Sequence, residues 1–296
     1  MFRSVSSWFV ALLLITIAGA QQKPAAPAPK AATASTLPSE ETVGEFMRQM
    51  FGYDSSVSWK VVEIRPSQAE GVAEVSLVIS NPQGQQNTKL YVTADGQHAL
   101  IGDIIPFGAH PFAAARKELE KGVNGFSRGP ADAPVLLVEF SDLQCPHCKQ
   151  AQPIIDKLMA EEKNVRLVFQ NFPLPLHDWA AKAAYFADCI GRTSSGAAWK
   201  FVESTYDAQA DITAANADEK LSKLAEAAGA KAADTAACAA KPETAGRVQH
   251  SLALGKSVDV TGTPALFVNG RKVGNLGGIP YEVLKSLVDF AAKEGK

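Results

Sequence analysis

A C-x-x-C motif directly after an apolar run constrains the fold of this chain more than any other feature. The run Val135–Val138 is continuous, as is typical of a strand buried on both faces. The motif begins at Cys145, and the sequence then predicts a helix over 145–160. Cys145 therefore lies at a helix start, where unpaired backbone N–H groups and the helix dipole favour a thiolate.

The other residues of the motif support a redox role for Cys145. Pro146 suits the first helical turn because it lacks the N–H that has no partner there. A protonated His147 would add positive charge beside the thiolate. Cys148 lies one turn further along, where it can resolve a mixed disulfide. We therefore expect Cys145 to be acidic and exposed, with Cys148 more buried.

A zinc half-site and an inert structural disulfide are the alternatives to this interpretation. A closed zinc site needs four ligands, usually from a second C-x-x-C or a closely spaced His pair. The chain has four cysteines, of which Cys189 and Cys238 stand alone, and it has no such His pair. The residues thus predict neither a metal site nor a bound cofactor.

The first residues have the pattern of a secretory signal peptide. Arg3 supplies positive charge, Trp8–Ile17 is almost wholly apolar, and Ala18–Ala20 fits the small-residue cleavage rule. A membrane anchor is the alternative, but a spanning helix needs about 20 apolar residues. Export implies a periplasmic or otherwise extracytoplasmic location, where disulfides persist. The net charge of -2 gives no electrostatic reason to expect a nucleic-acid partner.

The rest of the 296-residue chain reads as two domains of the α/β class joined by a helix. The predicted divisions are a signal peptide over 1–20, a disordered linker over 21–38, a small α+β domain over 39–110, a linker helix over 111–124, and a larger domain over 125–296. In the first domain the pattern predicts a helix over 40–50 and strands over 58–65, 72–80 and 89–93. In the second it predicts strands over 135–138, 165–169, 265–268 and 271–273, a mostly helical block over 177–255, and a final helix over 279–293. Asn269-Gly270 is a two-residue hairpin signal.

Two segments of the larger domain resemble the DsbA-like thioredoxin superfamily. Val138–Cys148 resembles its active-site segment, and Thr261–Gly270 resembles its cis-proline loop and the following hairpin. Their order and separation also match, with a helical insertion between them. The resemblance covers about 125–296 and implies a thioredoxin fold with a helical insertion.

The resemblance implies a role for each matching residue. Cys145 is the nucleophile and Cys148 the resolving thiol. Pro264 would be cis and packed against the pair, which leaves the Thr263 backbone free to pair with an extended substrate chain. Glu139 matches a buried acid that helps to move protons, and burial would raise its pKa. A solvent-facing strand glutamate is the alternative.

The resemblance also bears on the remaining cysteines. Many DsbA-like proteins carry a second disulfide at similar places, which implies that Cys189 pairs with Cys238. Two separate buried thiols are the alternative. His177 reads as a cap or surface residue rather than a catalyst.

The N-terminal unit resembles a different relative. Tyr91–Gly102 resembles the end of the dimerisation domain of DsbC- and DsbG-type isomerases, which implies a homodimer. The alternative is that the unit packs against its own thioredoxin domain. The Pro-His pair between the cysteines is typical of strong oxidases, whereas Thr263 before Pro264 is more typical of isomerases, so the direction of electron flow stays open.

The function expected from these features is thiol–disulfide exchange on exported proteins, with dithiol oxidation as the main direction. Its partners would be reduced or misfolded exported proteins and a membrane redox partner that recycles the enzyme. One alternative is a disulfide isomerase or reductase. The other is a peptide-binding chaperone in which the disulfide is incidental.

Overall fold

The computed structural model describes residues 37–294 except 83, 103 and 275. The predicted signal peptide and almost all of the predicted linker lie outside the described residues. The helices are α1 (Glu40–Phe51), α2 (Ala113–Gly122), α3 (Pro146–Glu161), α4 (Ala180–Thr193), α5 (Ser195–Asp207), α6 (Ala217–Ala227), α7 (Ala232–Ala239), α8 (Pro242–Ser257) and α9 (Tyr281–Glu294). The strands are β1 (Ser58–Pro66), β2 (Ala73–Asn81), β3 (Gly84–Val92), β4 (Ala99–Ile101), β5 (Ser127–Arg128), β6 (Val135–Ser141), β7 (Val165–Asn171), β8 (Ala265–Val268) and β9 (Arg271–Val273).

A five-stranded mixed sheet forms the centre of the larger unit. Its strand order is β5-β7-β6-β8-β9. Strand β6 pairs in parallel with β7, ending at Ser141 opposite Asn171, and antiparallel with β8, where Phe140 lies opposite Ala265. The carboxyl ends of β6 and β7 and the amino end of β8 therefore meet at one edge of the sheet. This arrangement confirms the predicted α/β class and thioredoxin fold.

Helices cover both faces of this sheet. Leu137 of β6 belongs to the larger apolar core, which also contains α3 and most of the helical block. The next side chains, Val138 and Phe140, pack on the other face with Leu119 of α2 and Leu254 of α8. Because successive strand residues point to opposite faces, burial on both sides accounts for the continuous apolar run of β6. Burying one such large side chain contributes about 1.5–3 kcal/mol.

The helical insertion runs from α4 to α8. It carries a disulfide between Cys189 of α4 and Cys238 of α7, with a Cα–Cα distance of 6.0 Å. The alternative of two separate thiols is therefore wrong. The bond closes a sequence separation of 49 residues, which restricts the unfolded chain. It joins two helices of the insertion.

The Asn-Gly hairpin is confirmed. Asn269 and Gly270 both have left-handed backbone angles, with φ of 45° and 86°. Such angles suit the tight turn that joins β8 to β9. Val268 and Arg271 pair directly across it.

The N-terminal unit is a four-stranded antiparallel sheet in the order β1-β2-β3-β4, with α1 on one face. Val43 and Met47 of α1 pack on Val75, Leu77 and Leu90 of the sheet. Ser39 caps α1 by accepting a hydrogen bond from the Thr42 backbone N–H. The unit thus has an apolar core of its own.

Two strands of this sheet differ from the prediction. Strand β3 begins at Gly84 rather than at 89, and β4 was not predicted. Gln85, Gln86 and Asn87 are polar and lack a strand-like pattern, but they pair residue by residue with β2. Pairing with β2 therefore stabilises a strand that the local composition does not favour. The predicted domain limits at 38, 110 and 124 stay predictions.

Candidate active site

Cys145 occupies the N-terminal cap of α3, with Pro146 at the first helical position. The tight loop after β6 turns the chain here, and the Cys145 N–H donates to the Asp142 carbonyl at 3.0 Å. The Cys145 carbonyl accepts the Cys148 and Lys149 N–H groups at 3.1 and 3.2 Å. The motif therefore lies at the start of a helix, as the sequence predicts.

Both thiols are free and buried, with exposed fractions of 3% for Cys145 and 0% for Cys148. The expectation that Cys145 would be exposed is wrong, although Cys148 is the more buried of the two. The loop before β8 lies over Cys145, whose Sγ is 3.5 Å from the Thr263 carbonyl oxygen. Sequence spacing does not reveal how closely that loop approaches.

The Thr263–Pro264 peptide bond is cis. The pairing of Ala265 with Phe140 brings this bond to the end of β6, beside the start of α3. The Thr263 hydroxyl oxygen is buried and has no hydrogen bond of normal geometry to a described residue. Thr263 and Pro264 thus lie next to the cysteine pair, although they are more than 100 residues away in the chain.

The pKa of Cys145 is lowered from its ordinary value of 9.0 to about 5. The largest cause is a hydrogen bond from the Cys148 thiol, followed by the Thr263 hydroxyl and the backbone N–H groups of Cys148 and His147; burial acts in the opposite direction. His147 is exposed and contributes through its backbone N–H. The charge of its imidazole, which the sequence analysis invoked, is not among these causes.

The pKa of Cys148 is raised well above its ordinary value. Burial is the largest cause, and the neighbouring Cys145 adds to it. The two thiols are therefore unequal: one ionises readily, and the other holds its proton and donates to it. This asymmetry makes Cys145 the nucleophile of the reduced pair and a good leaving group from a mixed disulfide.

Glu139 is fully buried and faces the same side of the sheet as Leu137, in the core that also contains Cys148. Neither carboxylate oxygen has a hydrogen bond of normal geometry to a described residue. Burial raises the pKa of Glu139 from 4.5 to about 7, although the Ser141 hydroxyl and Arg128 partly oppose this rise. The solvent-facing alternative is wrong, and a group with this pKa can exchange protons near neutral pH.

Asp142 is a site residue that the sequence analysis missed. Its carboxylate is buried and accepts hydrogen bonds from the Gln144 N–H, the Leu174 N–H and His177 Nδ1, each at 2.7 Å. Its own N–H donates to Cys148 Sγ at 3.5 Å. His177 is therefore a partner of the active-site loop rather than a cap or surface residue. A buried charge that accepts three hydrogen bonds holds its loop firmly.

Two glutamines complete the frame around the motif. The Gln144 amide accepts from the Trp179 N–H and donates to Asp178, both at 2.8 Å. Gln209 Nε2 donates to the carbonyls of Leu143 and Cys145 at 2.8 and 3.1 Å. In the sequence, the only signal for these contacts is the two consecutive polar residues Ser141 and Asp142 at the end of an apolar strand.

The site could hold a metal only if further ligands approached the two cysteines. Within 37–294, leaving out 83, 103 and 275, no group of three or more His, Cys, Asp or Glu side chains could bind a metal ion. The described residues also include no helix long and apolar enough to cross a membrane.

An acidic thiol at a helix start, a second thiol behind it and a cis-proline loop beside them form a dithiol site on a thioredoxin fold. A family model described as thioredoxin matches residues 121–289. The chain belongs to the thioredoxin family.

Individual relatives agree with this assignment. A probable disulfide bond formation protein D from Bacillus anthracis is 25% identical over 213 residues, covering 66% of this chain and 93% of that protein. The thiol-disulfide exchange protein alpha-DsbA2 from Wolbachia pipientis has the same fold, with a TM-score of 0.53; it is 19% identical, and the match covers 62% of this chain and 99% of that one.

A second group of relatives is much longer. A Na(+)/H(+) antiporter NhaA 3 from Salinispora tropica is 32% identical over 146 residues, which make up 49% of this chain and 22% of the antiporter. The chain thus spans less than a quarter of the length of this curated relative. The family model begins at residue 121, so the resemblance of the N-terminal unit to an isomerase dimerisation domain stays a prediction.

The thiol of Cys148 should control the acidity of Cys145. We expect Cys148→Ala to raise the titration midpoint of Cys145 from about 5 by at least about one pH unit, because it removes the main hydrogen bond to the thiolate. Cys148→Ser keeps a donor and should raise it less. Thiolate absorbance against pH measures both variants. Equal midpoints for the wild type and Cys148→Ala would contradict this account.

The buried carboxyl of Glu139 should make stability depend on pH. Between pH 4.5 and 7 the folded protein keeps a proton that the unfolded chain loses, so the free energy of unfolding should fall as pH rises through this window, by about 3 kcal/mol. Glu139→Gln should lack this fall. Urea unfolding of both proteins at pH 5 and 8 gives the difference. The contribution of Cys145 to the pH dependence cancels, because Cys145 titrates in both proteins. Parallel pH profiles would show that Glu139 ionises normally.

Proposed function

We propose that this protein catalyses thiol–disulfide exchange on exported proteins and works mainly as a dithiol oxidase. The observation that carries the proposal is the unequal pair of thiols, with an acidic Cys145 and a Cys148 that retains its proton. A stabilised Cys145 thiolate stabilises the reduced enzyme, and this makes the disulfide form a stronger oxidant.

The reaction begins with the Cys145–Cys148 disulfide. A substrate thiolate attacks Cys145 Sγ, the Cys145–Cys148 bond breaks, and Cys148 leaves with the electron pair. Because the pKa of Cys148 is high, it takes up a proton, and Glu139 in the same core is a suitable donor. A second substrate thiolate then attacks the substrate sulfur of the mixed disulfide and releases Cys145 as a thiolate. Two electrons pass from the substrate dithiol to the enzyme.

The loop before β8 would hold the substrate. Thr263 lies beside Cys145 Sγ, so an extended substrate chain paired with its backbone would have its cysteine next to the reacting sulfur. Pro146 and Pro264 flank this position without offering a competing N–H. The expected substrates are reduced or misfolded exported proteins, because only an unfolded chain can pair in this way.

The predicted signal peptide supports an extracytoplasmic, periplasmic location for this reaction. Each turnover leaves the enzyme reduced, so a membrane redox partner would have to reoxidise the cysteine pair. No bound cofactor is needed, since the electrons pass directly between sulfur atoms. Isomerase or reductase activity runs the same chemistry in the other direction, and Thr263 before Pro264 favours this second candidate.

Exchange activity should depend on the cysteine pair and not on the structural disulfide. We expect the wild type to oxidise a reduced polypeptide over many turnovers when a small disulfide such as oxidised glutathione is supplied, and Cys145→Ser to abolish this. The double variant Cys189→Ala with Cys238→Ala should keep the activity at lower thermal stability.

The reduction potential should be less negative than the ~−270 mV of thioredoxin. A more negative potential would favour the reductase, and a wild type without turnover would favour the chaperone.

We also propose that the N-terminal unit mediates homodimerisation. Strand β4 is the last strand of its sheet, and Leu100, Ile101, Ile105 and Phe107 on or after it are exposed. An edge strand with exposed apolar side chains favours pairing with another chain.

Light scattering on the mature protein tests the dimer. We expect a dimer for the wild type and a shift toward monomer for Ile101→Lys, because the variant places a charge at the proposed contact. Lys60→Glu on the exposed part of β1 is the control. A monomeric wild type would overturn the homodimer and leave the oxidase proposal intact.

A further inference from the structure

The N-terminal sheet is connected to the loop that carries the cis-proline. Asn87 of β3 donates from Nδ2 to the Thr261 carbonyl at 3.0 Å. Two residues further along β3, Lys89 Nζ donates to Asp259 Oδ1 at 2.9 Å. Thr261 and Asp259 precede the Thr263–Pro264 bond in the same loop. One strand of the N-terminal unit therefore holds the loop at two points.

Lys89 is well placed to act on this loop. Its side chain is only 14% exposed, and it also pairs with Glu74 Oε1 at 3.1 Å. Glu74, which is 6% exposed, is held in turn by Arg65 Nη2 at 2.8 Å. These contacts outweigh burial, so the pKa of Lys89 is raised and its charge persists. Because two neighbours fix the ammonium group, Lys89 gives Asp259 a fixed partner rather than a mobile one.

Asp259 has an unusual backbone conformation that depends on such partners. Its φ is 61°, in the left-handed region that residues other than glycine seldom adopt. Lys89 holds its side chain, and Lys272 Nζ donates to its carbonyl at 2.6 Å. The turn at Asp259 sets the direction in which the chain leaves α8 for Thr263. Contacts from β3 and β9 together therefore stabilise the path of this loop.

We infer that Asn87 and Lys89 are positioning residues for substrate binding: through Thr261 and Asp259 they fix the loop on which Thr263 pairs with the substrate chain. The inference rests on the proposed function. The two residues touch neither cysteine, so their effect is on the register and orientation of the bound polypeptide. A small dithiol does not pair with the loop, and its reaction depends far less on these contacts.

The experiment compares two reductants with the full-length mature protein, and oxidised glutathione is the oxidant that restores the Cys145–Cys148 disulfide after each turnover. The reductants are a reduced, unfolded polypeptide and dithiothreitol, and the variants are Lys89→Met and Asn87→Ala. For each variant we expect KM for the polypeptide to rise about tenfold, the effect of losing one hydrogen bond to a charged group or fixed carbonyl, with kcat within about twofold. The ratio of the polypeptide rate to the dithiothreitol rate should fall by the same factor.

Three controls separate positioning from a general loss of structure. Lys89→Arg should recover most of the polypeptide KM because it keeps the charge and a donor. Lys60→Met changes an exposed lysine of β1 and should leave both rates at the wild-type level. In a protein that already carries Asp259→Asn, the further change Lys89→Met should raise KM by less than about twofold, because the Lys89–Asp259 ion pair is already broken.

The outcomes are distinguishable. If both reductants slow equally in Lys89→Met, or if Lys89→Met and Asp259→Asn are additive, the inference is overturned. If Lys89→Met fails to fold, Asn87→Ala decides, because Asn87 is exposed and its loss leaves the ion pairs intact. A wild type that reacts with neither reductant overturns the proposed function itself. If the wild type is active and the variants behave like it, only the inference is overturned.

Discussion

The pairing of β6 on both of its edges is the constraint on which the site depends. Parallel pairing with β7 and antiparallel pairing with β8 bring three chain segments to one end of the sheet. They are the loop after β6 with its Asp142, the loop after β7 with His177, and the loop before β8 with Thr263. Cys145 lies where these loops meet, so its surroundings are set by strand register as well as by its own neighbours in sequence.

Burial of polar groups gives this site its chemistry. Cys148, Glu139 and Asp142 all lie beneath the surface, yet they differ in what they contact. Asp142 accepts three hydrogen bonds and acts as a fixed tie between loops, whereas Glu139 has almost no partner and a raised pKa. An unpaired buried acid is costly to keep charged, and for that reason it is suited to give up and take back a proton. The same burial separates the acidities of the two thiols.

The N-terminal sheet, which lies outside the thioredoxin domain, also contacts a loop of the active site. Its own apolar core around Met47 and Leu77 accounts for its folding, but β3 also contacts the cis-proline loop through Asn87 and Lys89. A unit that holds this loop can affect which chains the active site accepts without supplying a reacting group.

The features predicted correctly from the sequence are local ones: the cysteine pair at a helix start, the buried central strand and the Asn-Gly hairpin. Each depends on residues close together in the chain, where propensity and periodicity act directly. Three contacts became known only from the folded chain: the Thr263 loop covers Cys145, Asp142 binds His177, and Lys89 reaches Asp259. These contacts join segments from 35 to 170 residues apart, and their formation depends on strand register and loop packing, which no local pattern encodes.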